Sequence, residues 1–534
     1  MAVSLAFCYV PLRNEKGGTM TTTDPVRAGR REWTALGVLV LPTLIVAMDL
    51  VVLILATPAL SAALRPSSTQ LLWITDVYGF LIAGSLVTMG TLGDRIGRRK
   101  LLLTGAAAFG AASLLAAFAP TAELLILARA LLGIAGATLM PSTLSLLRSL
   151  FADPAQRTFA IGLWVTTFSA GTVIGPLVAG ILLQHFWWGS VFLLNLPVMA
   201  ALLVVGPRLL PEVRNPAPGR FDVPGAALSV LALLAVVYGV KRIAEDGADP
   251  VALLVPAAGV AIGAVFVRRQ RRIADPLLDL GLFGSAAFST SVVVNVLLGV
   301  TLAGTFLFVA QYLQLVIGLS PLAAGLWLIP STAGIIAGSL LTPVLVRRVP
   351  APRLVSGGLA VAAAGLVVIA RVGAEPDLAL LIAGTVVLGI GAAPASTLSV
   401  DLIIGSAPPE RAGAASAISE TGNELGNALG IALLGSIGVV VYRGAMAERI
   451  PAGLAPHDAA AAADTLAGAH SAASALPPAA GAGLVDAATR AFASGMQLAA
   501  WVAAALAVVL ALAAPVLLRR PLTRPAAPPT TRGR

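Results

Sequence analysis

Long apolar runs separated by short polar stretches are the dominant pattern of this chain. A membrane-spanning helix needs roughly 20 apolar residues, because about 30 Å of hydrocarbon is crossed at about 1.5 Å per residue. The runs are continuous rather than alternating, which argues against a transmembrane β-barrel. The pattern predicts an all-α membrane protein with fourteen spanning helices, near residues 35–60, 71–92, 101–120, 123–147, 157–183, 190–210, 224–241, 250–267, 288–317, 322–346, 353–372, 378–400, 413–442 and 493–518.

Composition supports this reading. Of 534 residues, 58% are hydrophobic and only 11% are charged, whereas a soluble chain carries about 25% charged residues. The net charge of +10 does not indicate a nucleic-acid partner, because the basic residues lie mainly in short loops between spans. A single cysteine, Cys8, excludes an intrachain disulfide framework and a cysteine-cluster metal site.

The distribution of lysine and arginine predicts the orientation. Of these 35 residues, 27 lie on the side of the termini, 7 lie on the opposite side, and Arg129 lies within a helix. Positive residues are enriched in cytoplasmic loops. We therefore expect both termini in the cytoplasm. The arginine-heavy, alanine-rich composition indicates a GC-rich bacterial genome, so we expect the chain to cross the inner (plasma) membrane of a bacterial cell many times.

The expected domains follow from the spans. They are a cytoplasmic leader over 1–32, a six-helix bundle over 33–212, an inserted helix pair over 213–270, a second six-helix bundle over 271–518 and a basic cytoplasmic tail over 519–534. A weak repeat, RIGRRKLLLTGAA against VRRVPAPRLVSGGLA, agrees with two related bundles. The alanine-rich segment 443–492 on the outer face predicts one or two short helices, or alternatively a disordered low-complexity loop.

The most specific string is GTLGDRIGRRK, which begins at Gly90 near the end of the second predicted helix. Its first glycine permits a close helix contact, and its aspartate can meet a helix N-terminus or an arginine. The string resembles the signature of the major facilitator superfamily of transporters. That resemblance implies a conformational-switch motif comprising Gly90, Asp94, Arg95, Gly97 and Arg98.

Two further strings resemble motifs of this family. LLILARALLGIAGA places Arg129 inside the fourth predicted helix, where an idle arginine would cost roughly 3 kcal/mol or more, and the resemblance implies a role in proton coupling. GTVIGPLVAG in the fifth helix resembles the motif of the exporting, antiport branch. The small residues of this string form a packing face and its Gly-Pro pair a kink, which we expect at the bundle interface. Plain helix packing without an antiport role is the alternative. The motif residues are Gly171, Gly175, Pro176 and Gly180.

Four carboxylates fall within the predicted spans. Asp49 and Asp76 lie in the first two helices, while Glu420 and Glu424 share one face of the thirteenth. Because low dielectric disfavours a charged carboxylate, such a group can exchange a proton for a cation between two conformations. We therefore expect these acids, with Arg129, to serve proton coupling and substrate binding. For any single acid, a structural pairing across helices is the alternative. Asp401, near the cytoplasmic end of the twelfth predicted helix, is expected to lie at the membrane boundary rather than inside the span.

Two aromatic residues flank Asp76. Trp73 and Tyr78 are candidate substrate-binding aromatics, since aromatic rings beside carboxylates suit lipophilic cations. Most other aromatics in the chain are expected to anchor the protein at the lipid boundary.

Taken together, the motifs resemble the fourteen-helix drug:proton antiporter family, in particular its branch that exports quaternary ammonium compounds, dyes and other drugs. The resemblance implies a proton-coupled exporter whose partners are small lipophilic cations, protons and the lipid bilayer. It further implies a monomer that needs no cofactor beyond the proton gradient, and the residues themselves predict no metal site and no nucleic-acid partner. Two positions depart from the family pattern: Val51 and Ile54 follow the first-helix aspartate where threonine and asparagine are usual. The string PSTAGIIAG in the tenth helix lacks an acid used for divalent cations, which favours monovalent substrates.

Other classes fit less well. No lysine lies in a Gly-Lys-Ser/Thr loop, which excludes ATP-driven transport by this chain alone. The three histidines fall at helix ends or in the outer segment, which argues against a membrane metalloenzyme. The main alternative is a dedicated exporter of one endogenous product, such as an antibiotic. A non-transporting sensor or scaffold would need an output domain that the sequence does not predict.

Overall fold

The computed structural model describes residues 27–66, 68–214, 221–246, 250–408, 411–451 and 454–518. The predicted leader before residue 27 and the tail after residue 518 lie outside this range. Within it the chain folds into helices α1 (Arg30–Leu64), α2 (Ser68–Ile96), α3 (Arg98–Ala117), α4 (Ala122–Leu150), α5 (Pro154–His185), α6 (Ser190–Leu193), α7 (Asn195–Leu209), α8 (Val223–Asp246), α9 (Pro250–Gln270), α10 (Ala286–Gln311), α11 (Pro321–Trp327), α12 (Ile329–Leu345), α13 (Ala351–Ile369), α14 (Leu378–Ser406), α15 (Ala412–Met446), α16 (Pro456–Asp464), α17 (Leu466–Ala473) and α18 (Pro478–Leu517).

The helices account for the fourteen predicted spans. Thirteen segments in the described residues are long and apolar enough to cross a membrane, with α6 and α7 forming one of them and α11 and α12 contributing to another. The remaining span corresponds to α8, whose apolar stretch Val223–Gly239 is shorter. The prediction of an all-α membrane fold is confirmed. We call the side on which α1 begins the inner side, following the predicted orientation, and the opposite side the outer side.

The helices pack into two bundles with separate apolar cores. One core is formed mainly by α1 to α7 and the other by α10 and α13 to α18. The bundles meet where α15 packs against α2 and α4, and where α12 packs against α5. Side chains that face the partner bundle therefore lie on α2, α4, α5, α12, α14 and α15.

The inserted pair α8 and α9 is fastened at its inner end by Asp222. This carboxylate accepts hydrogen bonds from Arg269 at 2.8 Å, Gln270 at 3.1 Å and the Gly225 amide at 3.0 Å. Burial alone would raise the pKa of Asp222. The hydrogen bonds from these three partners lower the pKa by more than burial raises it, so the pKa lies below the usual range and the group stays ionised. Gln270 in turn accepts from the Leu277 amide at 2.6 Å, which ties the pair to the segment entering the second bundle.

The outer segment is largely helical. It forms α16, α17 and the first part of α18, which begins at Pro478 rather than near residue 493 as the sequence pattern predicted. Pro477 and Pro478 separate α17, which ends at Ala473, from α18. Pro478 begins α18, because the first residues of a helix need no amide donor.

Candidate functional site: a buried ion pair facing buried acids

An ion pair lies inside the first bundle. Arg129 of α4 donates to Asp49 of α1 at 2.6 Å, and both residues are at most 2% exposed. The Arg129 Nε also donates to the Ile74 carbonyl of α2 at 3.1 Å. A buried charge without a partner is very costly, so this pair fixes α1, α2 and α4 around one point.

Polar neighbours complete the surroundings of the ion pair. The Asn195 amide donates to Asp49 at 3.3 Å and to the Ser113 hydroxyl at 3.0 Å, while the Arg129 guanidinium lies 4.4 Å from the centre of the Tyr78 ring. Sequence reasoning did not assign Asn195 or Ser113 a role. An amide within an apolar run was the available signal, since buried amides are normally hydrogen-bonded.

The acids of α15 have different surroundings. Glu420 is 4% exposed, and among the described residues no ion pair joins it to a cation. Glu424, one helical turn away, is half-buried and close enough to interact electrostatically with both Glu420 and Tyr78. Glu424 of the second bundle therefore lies close to Tyr78, the ring of the first bundle that packs against Arg129.

The two candidate aromatics occupy different places. Tyr78 is fully buried beneath Arg129, and its hydroxyl donates to the Val46 carbonyl at 3.4 Å. Trp73 is 38% exposed and lies parallel to Tyr238 of the inserted α8, with ring centres 6.2 Å apart. Asp76 is half-buried between these positions along α2. The structure thus links Tyr78 to the ion pair and Trp73 to the inserted helices.

The GTLGDRIGRRK string makes the inner contact between the bundles. A Cβ at Gly90 would lie 2.5 Å from the Ala417 Cβ and 2.6 Å from the Gly413 carbonyl oxygen of α15, so only glycine fits. Asp94 accepts from the Ala414 amide at 3.0 Å and is paired with Arg98. Because α15 has no side-chain cap of its own, Asp94 serves as that cap from the other bundle.

The remaining residues of this string shape its turn. Gly97 has φ +110°, a conformation that favours glycine, and a Cβ there would also meet the Glu212 carboxylate. The Arg95 guanidinium lies 5.6 Å from the Phe221 ring centre, next to the inserted pair. The string therefore contacts α15 through one end and the linker to α8 through the other.

A second polar contact joins the bundles at the inner end. Asp401 of α14 accepts from Arg157 at 2.6 Å and from the Thr158 hydroxyl at 2.9 Å, both on α5. Arg148 of α4 donates to the Ile404 carbonyl nearby. The sequence predicted that Asp401 lies at the membrane boundary near the inner end of its helix, but it predicted neither its partners nor its contact with the other bundle.

The glycines of the fifth helix pack within one bundle. A Cβ at Gly171 would lie 2.7 Å from Ala47, and one at Gly175 would lie 2.9 Å from Val51, both on α1. Gly180 has open space around it, and Pro176 lies inside the helix. The glycine of α5 that closely approaches the other bundle is Gly162, whose Cβ would lie 2.9 Å from the Ser339 carbonyl oxygen of α12.

Two helical bundles with buried charges at their interface are the architecture of a multi-pass membrane transporter. Residues 39–431 match the Major Facilitator Superfamily, and the chain belongs to that family. It is accordingly a transporter and not an enzyme. A solved structure, that of the human organic anion transporter MFSD10, matches with a TM-score of 0.58 and 14% identity over 89% of this chain and 99% of the other, a likeness that concerns the fold alone.

Curated relatives share far more sequence. The multidrug efflux pump LfrA of Mycolicibacterium smegmatis is 46% identical over 95% of this chain and 99% of its own length. The methyl viologen resistance protein SmvA of Salmonella typhimurium is 36% identical over 86% and 93%. The tetracenomycin C resistance and export protein of Streptomyces glaucescens is 35% identical over 90% of each chain.

Proposed function

We propose that this protein is a proton-coupled antiporter that exports lipophilic, monovalent cationic drugs and dyes by alternating access. The similarity to named multidrug efflux and resistance proteins supports drug export. The observation that carries the proton coupling is the buried carboxylate of Glu420, which has no cationic partner among the described residues and lies at the bundle interface. A proton can neutralise such a group reversibly, since no fixed positive charge holds it ionised.

In the proposed cycle, the cation binds from the inner side near Asp76 and the exposed ring of Trp73. Rocking of the bundles then turns the site outward, and protons entering from outside neutralise Glu420 and Glu424 and displace the cation.

Asp49 and Arg129 hold the first bundle together during this exchange, with Tyr78 positioning the arginine. Asp94, the glycines of the string and Asp401 set how readily the inner end opens.

Ethidium transport in everted vesicles tests this proposal. An imposed proton gradient should drive ethidium movement that a protonophore abolishes, and Glu420→Gln should lose most of this coupled movement because the amide cannot carry the proton. Glu448→Gln is the matched control, since Glu448 is exposed just beyond the end of α15. Equal coupled transport by Glu420→Gln and the native protein would remove Glu420 from the mechanism.

The limit to monovalent cations needs a separate comparison. Methyl viologen is a divalent cation, and the Salmonella relative is named for resistance to it. Transport of ethidium without methyl viologen by the native protein would support the limit, whereas equal transport of both would refute it.

A dedicated exporter of one product is the second candidate. It is favoured by the similarity to a tetracenomycin C resistance and export protein over 90% of the chain. A folded protein that moves neither ethidium nor other lipophilic cations would support this narrower function.

A further inference from the structure

A cavity of about 350 Å³ lies near the outer side of the second bundle. It is bounded by α10, α15, α18 and the junction between α16 and α17. Among its lining residues are Phe308, Gln311, Gly435, Tyr442, Asp464 and Phe492. Its size is at the lower end of the range for small-molecule sites, which are mostly apolar with a few polar groups.

The cavity lies on the same face of α15 as the buried acids. Steps of three, four or seven residues keep helix positions on one face, and such steps lead from Glu420 and Glu424 through Ile431 and Gly435 to Tyr442. Nearer the inner end, Ala417 on this face contacts Gly90 of the other bundle. One continuous stripe of α15 therefore joins the inner bundle contact, the acids and the outer cavity.

The roof of the cavity is held in place by defined contacts. The Tyr442 hydroxyl donates to the Ala462 carbonyl of α16 at 3.0 Å. Thr465 caps α17 by accepting from the Gly468 amide at 3.0 Å. The outer segment is thus part of the second bundle, and its helix junction forms one wall of the cavity.

The lining suits an aromatic cation. Phe308 and Phe492 have ring centres 6.0 Å apart, and aromatic faces attract cations. Asp464 supplies a carboxylate whose partner Arg443 is 3.0 Å away, with both side chains about half exposed. An exposed pair of this kind is weak, so Arg443 can yield the carboxylate to a bound cation. A larger cavity between α3 and α4 is lined without charged residues and lacks this feature.

We propose that the cavity is an outer binding site for an aromatic lipophilic cation, occupied after the cation leaves the acids of α15 and before its release. This inference rests on the proposed export of such cations. It assigns the outer segment 443–492 a direct part in substrate binding, through Asp464 and the adjoining residues of α17.

Filling the cavity tests the proposal through substrate affinity. A Cβ at Gly435 would have only ordinary contact, 3.5 Å from Leu307, so Gly435→Val adds volume inside the cavity. Gly444→Val is the control, because nothing lies within 4 Å of a Cβ there. For ethidium efflux, Gly435→Val should raise the half-saturating concentration about five-fold or more, and Asp464→Asn by about two- to five-fold, while Gly444→Val and Asp486→Asn leave it unchanged.

A labelling experiment keeps the proposal testable if a cavity variant folds poorly. In a Cys8→Ser background, ethidium should slow maleimide labelling of Thr465→Cys from the outer side but not of Ala447→Cys, which is exposed at the end of α15. No protection, with affinity equal in all four transport variants, would overturn the outer site while leaving ethidium export intact. If lipid removal changes the labelling rate of Thr465→Cys but ethidium does not, the outer site is likewise overturned, because a lipid would then occupy the cavity. Failure of the native protein to move ethidium would remove the proposed function and this inference together.

Discussion

The acid of the first bundle and the acids of the second differ in what surrounds them. Asp49 lies 2.6 Å from the cationic Arg129 and also accepts a hydrogen bond from the Asn195 amide. Glu420 is equally buried but has no cationic partner among the described residues. In the proposed mechanism, the carboxylate of the first bundle stabilises the fold as an ion while that of the second exchanges protons, and the neighbouring side chains set this difference.

The largest expected effect comes from breaking the ion pair. Arg129→Met should lower the free energy of unfolding by about 3–5 kcal/mol, because it leaves the Asp49 carboxylate buried without its cation. Thermal unfolding in detergent measures this loss. The double variant Asp49→Asn with Arg129→Met should recover most of the stability, since neither residue is then charged. A melting temperature for Arg129→Met equal to that of the native protein would contradict the structural role of the pair.

A smaller effect is expected where the bundles touch. Gly90→Ala should cost about 1–3 kcal/mol, because the added methyl group meets α15 at about 2.5 Å and forces α2 and α15 apart. The same change at Gly79 of α2 meets nothing within 4 Å and is the control. Thermal unfolding and ethidium transport should both change for the first variant only. Equal behaviour of the two would show that close contact at Gly90 is unimportant.

The smallest of these effects concerns the second inner contact. Asp401→Asn should cost about 1–2 kcal/mol, since it weakens a charged hydrogen bond between α5 and α14 whose side chains are 21% and 12% exposed. Opening of the inner end should become easier and the half-saturating ethidium concentration in everted vesicles should change. Asp279→Asn is the control, because its partner Arg411 is half exposed. Identical kinetics for both variants would count against a gating role of Asp401.

Much of the fold could be predicted from the sequence. Apolar runs of membrane length predicted the spans. Gly90 and Asp94 were identified because their string resembles a family signature, and Arg129 also because a charge within such a run is costly. Which helices become neighbours could not be predicted from periodicity. The Asn195 bond to Asp49, the Arg157 bond to Asp401 and the stacking of Tyr238 on Trp73 all join residues more than 140 positions apart.

The sequence also left open how two sets of residues act, the prolines before α18 and the glycines of α5. Prolines can end a helix or begin one, and Pro478 begins α18. The glycines of the fifth helix were expected at the bundle interface, but Gly171 and Gly175 contact α1 of their own bundle while Gly162 approaches the other. Small residues indicate a close contact without indicating the partner.

Proton release on substrate binding tests the central contrast most directly. Ethidium added to the purified, weakly buffered protein should release protons, measured with a pH indicator, because a bound cation favours the ionised acids. We expect this release to be lost in Glu420→Gln and kept in Glu448→Gln, with comparable ethidium binding in the control. Full proton release from Glu420→Gln would contradict the assignment of the exchanged proton to Glu420.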